Sequence, residues 1–580
     1  MAASRYDLLI QGGLLFDGAG GSRRRADVAV RGGRVVAIGE DLGADADEVI
    51  DASGKWITPG FIDFHTHYDA EVEIDPSLSE SVRHGVTTVT LGSCSLGAAV
   101  GEPDDICDIF CRVEGVPRRI MRPLLQRVKD WQTFPEYFEH LERLPLGPNV
   151  TSFVGHSNLR MNVMGFDRSL DASIKPTAEE LERMERDLSE ALDAGYLGLS
   201  IQTLPWDKLD GDRFRSRPLP SYFAGWSEYR RLTRVLRKRE RVFQGVPNLT
   251  TKVNVLLFML ESVGLFRKPL KTTVISLMDV ISNRSIHWGV PVMTRFANRL
   301  LGADFRFQAL PNVFDVWADG MDLVIFEEFA AGTEALHLAD LSQRSELLRR
   351  PDFRARFRAQ WDALFSPRVY HRDFRHSEIL ACPDAALVGR SFFDVAQERG
   401  LHVVDAFLDL AAQFGERLRW YSVVANDRRP QLEGIVAHPD VLIGFSDAGA
   451  HLRNMAHYSF PLRMLKLVRD AERRGEPFMT VERAVHRLTG EIGDWFGLPV
   501  GHVTVGAQAD LVVIDPEGLD DTLDEVHEVE MPGFDGLQRL VRRSERAVPR
   551  VIVNGKVACV DGQPTAALGR ERGFGQLLRI

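Results

Sequence analysis

The stretch Pro59-Gly60-Phe61-Ile62-Asp63-Phe64-His65-Thr66-His67 decides how this chain is to be read. A turn-forming Pro-Gly pair leads into an apolar run that ends in two imidazoles two positions apart. Side chains of an extended strand alternate faces, so His65 and His67 point the same way and can share one metal ion. A divalent metal at a strand end offers the chemistry of hydrolysis. A bare His-x-His also occurs as two core histidines, and the Pro-Gly-Phe-Ile-Asp lead-in favours the metal.

Outward from this stretch, the N-terminal segment alternates short β-like runs (Asp7 to Gln11, Asp27 to Arg31, Arg34 to Ile38) with Gly-rich turns. The far end has the same texture. Asp510 to Asp515 reads as a strand, Val551 to Val553 as another, and Asn554-Gly555 as a hairpin turn into Lys556 to Val560. Between them, β-branched runs (Val86 to Leu91, Val150 to Val154, Leu197 to Ile201, Val290 to Thr294, Val441 to Phe445) alternate with amphipathic helical stretches, the clearest being Thr177 to Ala194. Repeated strand-helix units predict an α/β fold, a (β/α)8 TIM-like barrel, with a small β-sandwich formed by both chain ends. The expected boundaries are 1–60 and 496–580 for the sandwich and 61–495 for the barrel, with insertions near 101–145 and 302–440. The Arg-rich run Arg230 to Arg241 fits a solvated helix face.

With 580 residues, 44% of them hydrophobic and 26% charged, the chain can bury a large core. A net charge of -11 with intermixed signs implies no phosphate-binding face, so nucleic acid is not an expected partner. No apolar run approaches the roughly 20 residues that span a bilayer, and Met1 to Ile10 lacks the features of a signal peptide. A cytoplasmic protein without membrane contact is expected, and self-association is left open. Five scattered cysteines do not form a disulfide framework. Cys107 and Cys111 lack a second ligand pair and read as buried thiols.

Cys94, in Gly92-Ser93-Cys94, follows the Val86 to Leu91 run and would emerge beside the His pair, where a thiolate is a good ligand and can bridge two metals; a buried inert thiol is the alternative. Ser446-Asp447-Ala448-Gly449-Ala450-His451 closes another strand. Asp447 can ligate metal and act as general base, or simply cap a helix. These motifs together resemble the amidohydrolase superfamily and, within it, the N-acyl-D-amino-acid deacylase (D-aminoacylase) group, over nearly the whole chain. The resemblance implies a metal-bearing barrel, usually with zinc, that hydrolyses an amide. It implies His65, His67, Cys94 and Asp447 as ligands, Asp447 as catalytic base, and His451 as a group that contacts substrate or supports the site.

The deacylases it resembles supply two further His from mid-barrel strands, near what are here Gln244 to Asn248 and Met293 to Ala297, and neither stretch contains one. One zinc ion is therefore the expectation, with two possible and other divalent metals open. His156, in Gly155-His156-Ser157, matches a family motif and belongs to the site or to its surroundings. Glu114, on an expected loop, either replaces a lost ligand or is a solvated or salt-bridged carboxylate. Arg295, at the end of the expected Val290 to Thr294 strand, is a candidate clamp for the carboxylate of an N-acyl-amino-acid substrate, or a structural ion-pair partner. Other amides, cyclic amides or deamination substrates are the alternative, as is a metal-free binding or scaffold protein. Neither the acyl group nor the D or L preference is legible.

Overall fold

The computed structural model describes residues 5–43, 45–248, 252–363, 366, 368, 370–372 and 374–580. The first four residues of the N-terminal stretch considered above lie outside them. In chain order the strands are β1 (Tyr6–Leu15), β2 (Arg24–Arg31), β3 (Arg34–Gly39), β4 (Ala46–Asp51), β5 (Trp56–Pro59), β6 (Phe61–Asp63), β7 (Val86–Leu91), β8 (Asn149–Ser152), β9 (Val154–Gly155), β10 (Gly198–Gln202), β11 (Val242–Val246), β12 (Lys271–Val274) and β13 (Asp304–Ala309). After them come β14 (Phe314–Asp319), β15 (Ser377–Ala381), β16 (Arg419–Ala425), β17 (Val441–Ile443), β18 (Leu511–Ile514), β19 (His527–Glu530), β20 (Gln538–Val541), β21 (Arg550–Val553), β22 (Lys556–Val560) and β23 (Gln563–Pro564).

Both chain ends share one nine-stranded sheet, ordered β23-β22-β21-β18-β5-β1-β2-β3, with β4 also paired to β1. The middle is α/β with parallel pairing: β6-β7-β8 in one sheet and β17-β13-β12-β11-β10-β9 in another. Phe153 lies between β8 and β9, and its N–H donates to the Leu91 carbonyl at 3.0 Å. At the opposite edges, Thr66 just beyond β6 bridges Ala448 just beyond β17 in parallel. Strands β7, β8, β11 and β17 are buried along their whole length, as parallel strands covered by helices must be.

The helix expected from Thr177 runs Ala178–Ala194. Thr177 accepts from the Glu180 N–H while Glu180 reaches back, a reciprocal cap, and Gly195 ends the helix in the left-handed region. One expected strand is absent. Val290 to Thr294 lies inside the helix Ile286–Leu300, whose buried Pro291, Thr294 and Ala297 recur every three residues. That helical spacing against the sheet overrides the β-preference of its valines. The parallel strand before it is β12 instead, and it too lacks His. Residues 103–143 form three helices, Pro103–Glu114, Arg118–Val128 and Phe134–Arg143. Between β13 and β17 lie helices and the antiparallel sheet β14-β16-β15 around their own apolar cluster, centred on Phe326, Trp361, Phe407 and Trp420.

Candidate active site

Strand ends converge on one buried group. The His67 N–H donates to the Ala448 carbonyl at 2.7 Å, which ties the segment after β6 to the segment after β17. Asp63 supports both, accepting from the His65 N–H at 3.4 Å and from the Ser446 hydroxyl. Gly449 is required here: its φ is +88° and a Cβ would stand 2.6 Å from the His67 carbonyl oxygen. Cys94, Phe445, Asp447 and His451 all adopt positive φ, a concentration of backbone strain that marks a functional centre.

His65 Nε2 lies 3.2 Å from Cys94 Sγ, and the ligand atoms of His65, His67 and Cys94 fall within 4.8 Å of one another. Asp447 Oδ1 lies 3.5 Å from His65 Nε2 and 3.6 Å from His67 Nε2, and it is buried without a hydrogen-bond partner. Two imidazoles, a thiol and a carboxylate are the borderline donors that zinc takes, and the edges of a tetrahedral zinc site run about 3.3 to 3.6 Å. The donor set fits a single ion. Burial pushes the imidazoles down, His65 to about 4, His67 to about 3 and His451 to about 4, so each ring is neutral, with one unprotonated nitrogen that accepts and one N–H that donates. Burial raises the Cys94 thiol well above its ordinary value and raises Asp447, the latter against the pull of His65 and His451.

Each imidazole is oriented from behind. His65 Nδ1 meets Gln308 Oε1 on β13 at 2.6 Å, and His67 Nδ1 faces Glu114 Oε1 at 3.1 Å. Glu114 is the last residue of its helix rather than a loop residue, and it is 1% exposed rather than solvated. The Glu114 carbonyl accepts the His451 N–H at 2.6 Å, which brings His451 into the same cluster. Gln244 on β11 accepts the Cys94 N–H at 3.2 Å. Gln308 and Gln244 occupy the middle strands without any His beside them, and the Nε2 of each is buried without a hydrogen-bond partner. Sequence reasoning passed over both amides, since a lone Gln carries no motif.

Two expected residues lie elsewhere. His156 opens the helix His156–Met164, where Nε2 lies 3.1 Å from Glu228 Oε1 and Nδ1 3.0 Å from Ser221 Oγ; it contacts none of the four donors. Arg295 is exposed on the helix Ile286–Leu300, in a groove that shares no lining residue with the cluster. Its displacement follows directly from the strand that proved to be a helix. Asp207, on the loop after β10, was also missed: Gln202 holds its carboxylate, burial raises it to about 7, and its charge acts on Cys94 and Glu114. Lys208 follows it and answers to Glu327, Arg112 and Asp207.

No family model matches the chain. It is 49% identical over 565 residues to an uncharacterized protein of Mycobacterium tuberculosis (strain ATCC 25618 / H37Rv), covering 96% of this chain and 92% of that one. An N-acyl-D-glutamate deacylase of Alcaligenes xylosoxydans xylosoxydans is 37% identical over 197 residues, 34% of this chain and 37% of the deacylase. Among solved structures, an N-acyl-D-glutamate deacylase of Bordetella bronchiseptica, complexed with zinc and a phosphonate mimic of the tetrahedral intermediate, superposes with TM-score 0.64 and 25% identity over all of both chains. A D-aminoacylase with a binuclear metal center shares the fold at TM-score 0.64 and 22% identity, over 99% of this chain and all of that one. The chain belongs to the D-aminoacylase-like group of the amidohydrolase superfamily.

Proposed function

We propose that this D-aminoacylase-like amidohydrolase uses one zinc ion, held by His65, His67, Cys94 and Asp447, to cleave the amide bond of an N-acyl-D-amino acid. The observation that carries the reading is Asp447 Oδ1, buried and unpartnered within 3.6 Å of both imidazole Nε2 atoms. In this reading the site sits in a (β/α)8 barrel of residues 61–495, which the two series of parallel strands and the Thr66–Ala448 bridge support, beside a β-sandwich of residues 1–60 and 496–580, which the sheet shared by both chain ends supports.

Zinc, when bound, supplies a Lewis acid for the carbonyl and lowers the pKa of water. The protein does the rest. Gln308 accepts from His65 Nδ1 and so fixes that tautomer with the Nε2 lone pair toward the centre, while Glu114 Oε1, 3.1 Å from His67 Nδ1, favours the proton on that nitrogen. Asp447 accepts the proton of the attacking water and returns it to the departing nitrogen as the C–N bond breaks. His451, neutral and held at the Glu114 carbonyl, donates to the amide oxygen as negative charge develops there. With Arg295 outside the cluster, Lys208 beside Asp207 is the cation assigned to the substrate carboxylate.

A panel of N-acyl D- and L-amino acids, run beside neutral and cyclic amides, tests the reading. Turnover of acidic or neutral N-acyl-D-amino acids is expected, with Lys208→Ala raising KM about tenfold or more, the worth of a hydrogen bond to a charged group. Turnover of uncharged amides alone would remove the deacylase assignment and favour the second reading, another amide or cyclic amide, for which Arg295's remoteness already speaks.

A further inference from the structure

Ten of the seventeen exposed large hydrophobic side chains among the described residues fall between Val253 and Leu300. They lie on two consecutive outer helices, Lys252–Ser262 and Ile286–Leu300, and on the turn that follows the first. Phe266 on that turn is 99% exposed; on the second helix Trp288, Val292, Phe296 and Leu300 form an outward stripe at helical spacing. Both helices pack against β13, and the Gly264 N–H donates to the Leu301 carbonyl at 3.2 Å, which joins the turn to the end of the second helix. The side chains therefore make one face, and a contiguous apolar face of this kind marks an interaction surface.

Within the segment from Val253 to Leu300, the exposed charges have one sign. Arg267, Lys268, Arg295 and Arg299 are exposed, whereas the acidic residues of the segment, Glu261 and Asp279, are buried and taken by Arg230, Arg284 and Arg428. Lys268 meets Glu240 at 2.5 Å, while Arg295 and Arg299 have no ion pair among the described residues. This positive rim stands out in a chain of net charge -11. A two-fold partner would bring a second positive rim up to this one, so charge complementarity points away from a second chain. Exposed Trp, Phe and Leu ringed by Arg and Lys are instead the chemistry of a bilayer interface, where rings and aliphatic chains enter the acyl boundary and cations meet anionic headgroups. Beside Trp288, a groove of about 400 Å³ lined by His287, Arg295 and His438 offers a recess for a headgroup phosphate.

We propose that this face docks the protein peripherally on an anionic phospholipid bilayer. Among the described residues no helix is long and apolar enough to cross a membrane, so the contact rests at the interface. The lack of a spanning segment, on which the expectation of no membrane contact rested, is blind to a face assembled from two helices and a turn.

Flotation of the full-length, zinc-loaded protein with vesicles of phosphatidylcholine, alone or mixed with phosphatidylglycerol, tests this. Binding to the mixed vesicles alone is expected at about 0.1 M salt, with loss at about 1 M as the charges are screened. Phe266→Ser with Trp288→Ser, and separately Arg295→Glu with Arg299→Glu, should each weaken vesicle affinity about tenfold or more. Circular dichroism of both variants should match the parent, since all four positions are exposed. No flotation of the parent protein on mixed vesicles would overturn the proposal. So would equal binding by correctly folded variants, or a dimer in light scattering that the same substitutions abolish. Retention of inorganic phosphate without flotation would assign the groove to a soluble anion and overturn it as well.

Discussion

The two halves of the strand array bring different chemistry to the same centre. The segments after β6, β7 and β17 contribute His65, His67, Cys94 and Asp447, side chains of the kinds that can hold a divalent metal. The middle strands β11 and β13 contribute Gln244 and Gln308, neutral amides that touch the donors instead of joining them. An amide oxygen is a poor substitute for imidazole toward zinc, but it accepts an N–H well. One half thus supplies side chains suited to a metal, while the other supplies amides that hold those side chains in place.

Substitutions on the ligand side should have the largest effect. Asp447→Asn keeps the shape but removes the proton acceptor, and kcat should fall about a thousandfold in steady-state hydrolysis. A variant retaining a tenth of parental kcat would break the assignment of Asp447 as base. Next comes the amide side. Gln308→Leu frees the His65 imidazole to rotate, and zinc affinity, read by competition with a chromogenic chelator, should drop about 10- to 100-fold, as losses behind a ligand do. An unchanged affinity would reduce Gln308 to packing. Glu114→Gln leaves an acceptor beside His67 and should cost about tenfold at most in the same assay.

Gln244→His sharpens the contrast from the opposite direction. It restores an imidazole to β11 beside Cys94, and titration should reveal a second, weaker zinc equivalent that the parent lacks. The smallest effect belongs to Arg295→Ala: exposed and apart from the cluster, it should leave kcat/KM within about twofold, as surface changes do.

Much of this was legible in the order of residues. The His pair, Cys94 and Asp447 each follow an apolar β-branched run, and period-two alternation together with parallel burial carries such residues to the same end of the sheets. Val290 to Thr294 misled because β-branched residues resemble a buried strand over five positions. Only contact with the sheet reveals that its buried side is spaced by three. Arg295 was lost with it. The side chains of Glu114, Gln244 and Gln308 meet His67, Cys94 and His65 across long stretches of chain, and Asp207 acts on Cys94 through its charge, pairings that no local pattern encodes. The exposed face on the two outer helices escaped for the same reason, being assembled from segments separated by β12.

Everything above turns on the metal count, which mass spectrometry of purified, chelator-washed protein reads as zinc per chain. One tightly held zinc per chain is expected in the parent and none in His65→Ala. Two tightly held zincs per chain, or zinc content indifferent to His65→Ala, would contradict it.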